Sequence, residues 1–104
     1  MLLYNVTVGI DKAAEAEWLA WMRARFIPTV MGTGYFKDCK MYKIQHDQGE
    51  DTISYSVQLF AATIEDVLAY LEKSAPVLME THRAAFRDRH VVFQTLLEEV
   101  PAQL

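Results

Sequence analysis

A chain of 104 residues, with 52% hydrophobic and 23% charged side chains, has room for one core and excludes both a second domain and intrinsic disorder. No apolar run nears the roughly 20 residues of a membrane span, and a net charge of −4 with scattered cations repels phosphate backbones and argues against a nucleic-acid surface. Cys39 is the single cysteine, which excludes an internal disulfide and a cysteine-based zinc cluster.

Residues 1 to 10 carry no basic start, and Asn5 and Thr7 interrupt any secretory core, so the chain is read as cytoplasmic; one thiol suits that reducing compartment. The same residues alternate: Leu2, Tyr4, Val6, Val8 and Ile10 share one face, and Leu3, Asn5, Thr7 and Gly9 the other. That is a half-buried strand. Asp11 is placed to cap a helix that starts near residue 12, with Glu15 and Glu17 favoured by its positive end.

Ala14, Trp18, Trp21, Met22 and Phe26 recur at helical spacing and make this helix amphipathic. Pro28 lacks a donor and disfavours helical geometry at Ile27, which predicts a kink or stop near Phe26, a short restart through Met31, and an end at Gly32 and Gly34. From Tyr35 to Asp47 a second strand is expected with both faces partly apolar, Cys39 and Met41 on one, Phe36, Tyr42 and Ile44 on the other. Asp47 to Asp51 reads as a hairpin turn around Gly49.

The third strand is the clearest, with Ile53, Tyr55, Val57 and Leu59 alternating against Thr52, Ser54, Ser56 and Gln58. Thr63 to Asp66 has the spacing of a capping box, and Ile64, Val67, Leu68, Leu71, Ala75, Leu78, His82 and Phe86 continue a helical stripe that Pro76 divides, with Ser74 available to cap its second part. The Arg83, Arg87 and Arg89 group reads as a solvated helix end, and residues 90 to 100 as a last strand stopped by Pro101.

The order is strand, helix, strand, strand, helix, strand. Tyr4-Asn-Val-Thr-Val8 echoes Tyr55-Ser-Val-Gln-Leu59, each followed by a helix, so two βαβ halves predict an α+β, ferredoxin-like βαββαβ sandwich over residues 1–104: a four-stranded antiparallel sheet with two helices on one face. The uncovered face then carries Leu3, Asn5, Thr7, Ser54, Ser56, Gln58 and Phe60, which is neither a charged solvent face nor a dry core. A homodimer through that open face, with room for a wet cavity, is the economical expectation.

The combination Trp18-x-x-Trp21, Ile27-Pro-x-Val30, Gly34-x-Phe36, Tyr55-Ser-Val57 and Ala75-Pro-x-Leu-x-x-x-His82-x-x-x-Phe86 resembles a bacterial domain-of-unknown-function family, itself similar to the dimeric α/β-barrel superfamily. The resemblance implies this fold and a dimer. Phe26 stands where that family leads one to expect a histidine before the Ile-Pro pair.

Three classes of function are open, of which a nucleic-acid binder on the sheet is disfavoured by the acidic balance and by the lack of an aromatic pair on the central strands, and two remain as readings. The first is a non-catalytic homodimer that binds a small molecule or a partner, with Asn5, Trp18, Ser54 and Ser56 as ligand-binding candidates. The second, implied by the resemblance, is a cofactor-independent monooxygenase or isomerase, for which Asn5, Trp18, Tyr55 and His82 are the candidates. His82 on the apolar stripe has no carboxylate at a telling spacing and reads first as a hydrogen-bonded core histidine; His46 and His90 read as exposed, and the three have no metal-ligand spacing. Trp18 and Trp21 read as core, and Cys39 as an inert strand thiol. Neither reading calls for a cofactor, a metal, nucleic acid or a membrane.

Overall fold

A computed structural model describes residues 1–45 and 51–103. β1 (Leu2–Asp11) lies inside a four-stranded antiparallel sheet, paired on one side with β3 (Thr52–Ala61) and on the other with β4 (His90–Glu98), while β2 (Asp38–Lys43) pairs with β3 at the far edge. The order β2-β3-β1-β4 is that of the expected βαββαβ fold. The alternation read in β1 and β3 sets which side chains meet the helices: Tyr4, Val6, Val8, Ile10, Tyr55, Val57, Leu59 and Ala61 are all buried.

The first helical segment enters differently from the expectation. Asp11 makes no side-chain cap and is instead the last residue of β1, because its N–H donates to the Arg89 carbonyl and that of Lys12 to the Asp51 carbonyl, which hold the backbone extended. A 3₁₀ turn (Lys12–Ala14) then leads into α1 (Glu15–Trp21). The irregularity expected near Phe26 is present as a wide turn rather than a stop, and the short restart ends at Gly32 as expected, but Ile27 is not driven out of helix. Ile27 keeps helical angles (φ −63°, ψ −46°), and a π-helical turn over Met22–Phe26 precedes α2 (Ile27–Gly32). The Ile27 N–H reaches back five residues to the Met22 carbonyl, and the wider turn makes room for a proline whose missing donor falls in the first turn of α2. Gly34, at φ +82°, makes the exit turn that a side chain would strain.

β2 is shorter than expected, and Phe36 is not part of it. Phe36 is buried against Tyr70 (ring centroids 4.8 Å apart, edge to face), whereas Tyr42, of the same parity, is exposed on the opposite side of the sheet. The chain turns over between the two, which is why the sequence pattern blurs there. Cys39 and Met41 share a face as expected and pack toward the core, and burial, followed by the neighbouring Asp38 carboxylate, pushes the Cys39 thiol up to about 11. The hairpin centred on Gly49, and the placements of His46, Asp47 and Gln48, lie outside the described residues.

Thr63 caps α3 (Ile64–Lys73), its hydroxyl oxygen accepting the Asp66 N–H at 3.2 Å. α4 (Ala75–Ala85) follows after one residue, Ser74. Ser74 makes no side-chain cap; its carbonyl accepts the Leu78 N–H, and Pro76 occupies the first turn, where no donor is needed. The buried stripe runs through Val67, Tyr70, Ala75, Leu78, His82 and Phe86, so Ile64 and Leu68 fall on the exposed rim. The helix is rotated toward Tyr70, whose ring packs against Tyr4 and Phe36. At the end of α4, Arg83 is ion-paired with Glu80, and Arg89 with Glu17.

Candidate functional site

The sequence-derived candidates divide between the two faces of the sheet. Asn5, Ser54 and Ser56 point to the open face; Trp18, Tyr55 and His82 lie under the helices. The sheet therefore stands between Asn5 and both Tyr55 and His82.

On the open face the register sets Asn5 opposite Gln58 and Thr95, Thr7 opposite Ser56 and Phe93, and Gly9 opposite Ser54 and Val91. Directly opposed residues of antiparallel strands point the same way, so these side chains meet. The Ser56 hydroxyl donates to the Asn5 Oδ1 at 2.5 Å, the Asn5 Nδ2 to the Thr7 Oγ1 at 2.9 Å, and the Gln58 Nε2 to the Ser56 Oγ at 3.2 Å. This chain of neutral amides and hydroxyls keeps spare capacity: one Asn5 N–H, the Thr7 hydroxyl proton and the Gln58 carbonyl point to no partner within it. Around it stand large apolar groups left bare, Phe93 at 67% and Tyr42 at 52% exposure among them, with Val91 and Leu97. At one end Leu3, Phe60 and Leu97 floor a groove of about 320 Å³, and the Lys40 ammonium lies over the Phe60 ring, 5.6 Å from its centroid.

A larger groove of about 570 Å³ opens beside it, between the start of α3 and the end of β4, lined by Leu2, Ile64 and Leu96 with Glu98 and Glu99 at its rim. The Asn5 to Ser56 centre lines neither groove.

Beneath the helices polar side chains are linked to distant partners, and the His82 Nδ1 is left without one. The Trp18 indole N–H donates to the His82 Nε2 at 2.9 Å, the Trp18 ring rests on Tyr55 with centroids 5.0 Å apart, and the Tyr55 hydroxyl donates to the Glu15 Oε2 at 2.6 Å. Glu15 also pairs with Lys43 at 3.1 Å. The hydrogen bond from Tyr55 is the first cause, and Lys43 the second, that holds the Glu15 carboxyl below its ordinary range. Burial, then that same bond to Glu15, pushes the Tyr55 phenol up to about 12. His82 is lowered to about 4 by burial and by the neighbouring His90. A histidine kept neutral, its Nε2 occupied and its ring 2% exposed, offers no base to a solvent-borne substrate, and a phenol so raised is a weak acid. His90 is half-buried rather than exposed, with its ring edge-on to His82 at 4.8 Å.

Sequence reading missed Glu15 as a partner of Tyr55, and Thr95 and Phe93 as members of the open face. The last two become legible once β4 is set in register with β1. Among the described residues, no group of three or more His, Cys, Asp or Glu side chains could hold a metal ion, and no helix is long and apolar enough to cross a membrane.

An antiparallel four-stranded sheet covered by helices on one face is the ferredoxin-like architecture, and it is shared with solved structures of little sequence identity. An ethyl tert-butyl ether d (EthD) family protein from Bacillus halodurans aligns at a TM-score of 0.73 and 10% identity, over 96% of this chain and 100% of that one. A point mutant of SnoaB, a cofactor-independent oxygenase from Streptomyces nogalater, aligns at 0.61 and 14% identity, covering 99% and 95%. A de novo designed protein with ferredoxin fold aligns at 0.52 and 19% identity, covering 100% and 92%. An oxygenase and a design on one backbone show that these likenesses carry the fold alone. The curated proteins contain no match. The family itself is shown directly: residues 1–100 match the domain of unknown function DUF4286, and the chain belongs to that family.

Proposed function

We propose that this protein is a cytoplasmic homodimer that packs its open sheet faces together and holds a small neutral molecule, or a short partner segment, at the Asn5 to Ser56 centre without transforming it. The observation that carries this reading is the composition of that face: a hydrogen-bonded core of uncharged groups with unused donors, ringed by exposed aromatic and aliphatic side chains. A surface of that kind is costly in water and is stabilised by a partner; sheet-to-sheet packing of two copies buries about 1,200 to 2,000 Å² in total, enough for a stable pair. Short neutral side chains recognise by hydrogen bonding but hold no proton to exchange near neutrality, which favours binding over catalysis. The half-buried, unpaired Cys39 suits a reducing compartment.

A cofactor-independent monooxygenase or isomerase is the second reading. Tyr42 and Phe93 flank the polar centre in register and would give a substrate aromatic walls. It ranks below binding because among the described residues no histidine faces Asn5. Native mass spectrometry of protein purified from its own host tests both: a dimer mass carrying a retained molecule that is returned unchanged under air supports the binder, conversion of that molecule supports the enzyme, and a monomer mass near 12 kDa overturns both.

A further inference from the structure

The helix side holds one polar group that the proposed function does not use. His82 is 2% exposed and enclosed by rings: Trp18 and Trp21 of α1, Phe26 of the π-helical turn, Phe86 just after α4, and His90 of β4. Its protonation state is fixed by its partners. An indole N–H can only donate, so the His82 Nε2 that receives it at 2.9 Å carries the lone pair, and the single proton of the neutral ring sits on Nδ1. That Nδ1 has no hydrogen-bond partner. The neighbouring His90 carries a proton on its Nδ1, which lies 2.6 Å from the Phe86 carbonyl, a group that can only accept.

We propose that the Trp18 to His82 hydrogen bond is an acid-sensitive latch between α1 and α4: a proton taken up at the His82 Nε2 removes the acceptor, sets two N–H donors against each other, and releases α4 from α1. Nothing packed against the ring compensates the new charge. α1 presents two indoles, and its nearby Glu17 is exposed and paired with Arg89; the π-helical turn presents Phe26; the residues after α4 present Phe86, whose ring already lies under the Arg89 guanidinium at 5.3 Å; β4 presents His90. Among the described residues no carboxylate is in ion-pair distance of His82. Water is near, because Trp21 and Phe26, which wall the ring, also line a groove of about 280 Å³ on the side of α4 that carries Leu78 and Thr81.

The direction in pH follows. A histidine lowered in the folded chain to about 4, against 6.5 when unfolded, binds fewer protons folded than unfolded between those values. Stability from this group is complete above about pH 6.5 and is lost as pH falls toward 4, the unfolding constant rising by at most about tenfold per pH unit.

The test compares wild type with His82→Gln, whose amide oxygen still accepts from Trp18 but does not titrate. Urea unfolding is followed from pH 7 to pH 4 by the fluorescence of Trp18 and Trp21, and the wild-type histidine rings are titrated by NMR. The latch predicts a slope steeper in wild type than in His82→Gln by up to one proton, and a His82 ring that stays neutral to near pH 4 and then titrates together with the Trp18 indole resonance. Equal slopes overturn it, and so does a ring that titrates near 6.5 while the indole resonance stays still. The ring titration uses the wild-type chain and decides the matter if the glutamine variant does not fold.

Discussion

The two faces of the sheet are built from the same strands and differ in every physical respect that matters for function. Tyr55 and Ser56 are neighbours in β3, yet Tyr55 is buried under Trp18 with its hydroxyl committed to Glu15, while Ser56 is half-exposed in a chain of short neutral groups. On the helix side polar atoms are few, Trp18 and Tyr55 donate to distant residues while the His82 Nδ1 is left without a partner, and burial raises the phenols of Tyr4, Tyr55 and Tyr70. On the open side the polar atoms at the centre are uncharged and only partly satisfied, with Lys40 of β2 beside them opposite Gln58. A period of two residues thus sets a packed core on one face and a half-exposed polar centre on the other, and the two should respond to mutation independently.

The largest effect expected on the helix side is from Trp18→Ala. The ring is fully buried between Tyr55 and His82, and truncation both opens a cavity and strips His82 of its donor, a loss of about 3 to 5 kcal/mol in chemical denaturation. A loss under about 1 kcal/mol would place the indole outside the core and erase the contrast. On the open face the corresponding break is Ser56→Arg, which puts an unpaired charge into the proposed interface and is expected to yield monomer or insoluble protein, whereas Glu72→Arg on the exposed side of α3 leaves assembly intact. Size exclusion with light scattering reads this, and a Ser56→Arg protein of unchanged wild-type mass would show that the open face is not the interface.

A finer test uses the neighbours in β3. Tyr55→Phe removes the bond to Glu15 and is expected to cost about 1 to 1.5 kcal/mol without altering assembly. It should also reduce acid sensitivity. Glu15 is held below its ordinary range chiefly by that bond, so its share of stability is present above the unfolded carboxyl value and lost as pH falls through the folded one. A melting temperature that falls with acid equally in Tyr55→Phe and wild type would count against it.

How far the fold could be read from sequence depended on how local its causes are. Alternation in β1 and β3 sets a face by geometry alone, and the pairing of Asn5 with Ser56 follows once the two strands are laid antiparallel. Failures came where a local rule met a distant partner. Asp11 and Ser74 are capping residues by type, but the carbonyl of Asp51 and the first turn around Pro76 had already fixed the backbone they would have capped. Pro28 disfavours helix at Ile27, and the wide turn ahead of it, a departure no propensity encodes, absorbed the conflict. Phe36 shares parity with Tyr42 but is drawn to Tyr70, a contact across 34 positions of sequence. The bond from Trp18 to His82 spans 64 positions and was invisible for the same reason.

Thr63 shows the other extreme, a cause contained within four residues. Its φ of −134° and ψ of 157° keep it extended, the Asp66 N–H donates to its hydroxyl oxygen at 3.2 Å, and that hydroxyl donates to the Asp66 carboxylate at 3.0 Å, so both side chains close the end of α3 together. Glu65 and Asp66 also place negative charge in the first turn, where the helix dipole favours it. Alanine at this position leaves the Asp66 N–H to water at an exposed helix end, for a cost of about 1 kcal/mol. The effect should appear in thermal and chemical unfolding alike and leave the assembled mass unchanged, because residue 63 lies beyond the end of β3 and outside the polar centre of the open face. A Thr63→Ala protein that melts with wild type would mean that the Asp66 side chain, or water, closes the helix equally well. One that loses the proposed dimer would mean that the start of α3 and the groove beside it belong to the interface, and that the proposed contact surface is not confined to one face of the sheet.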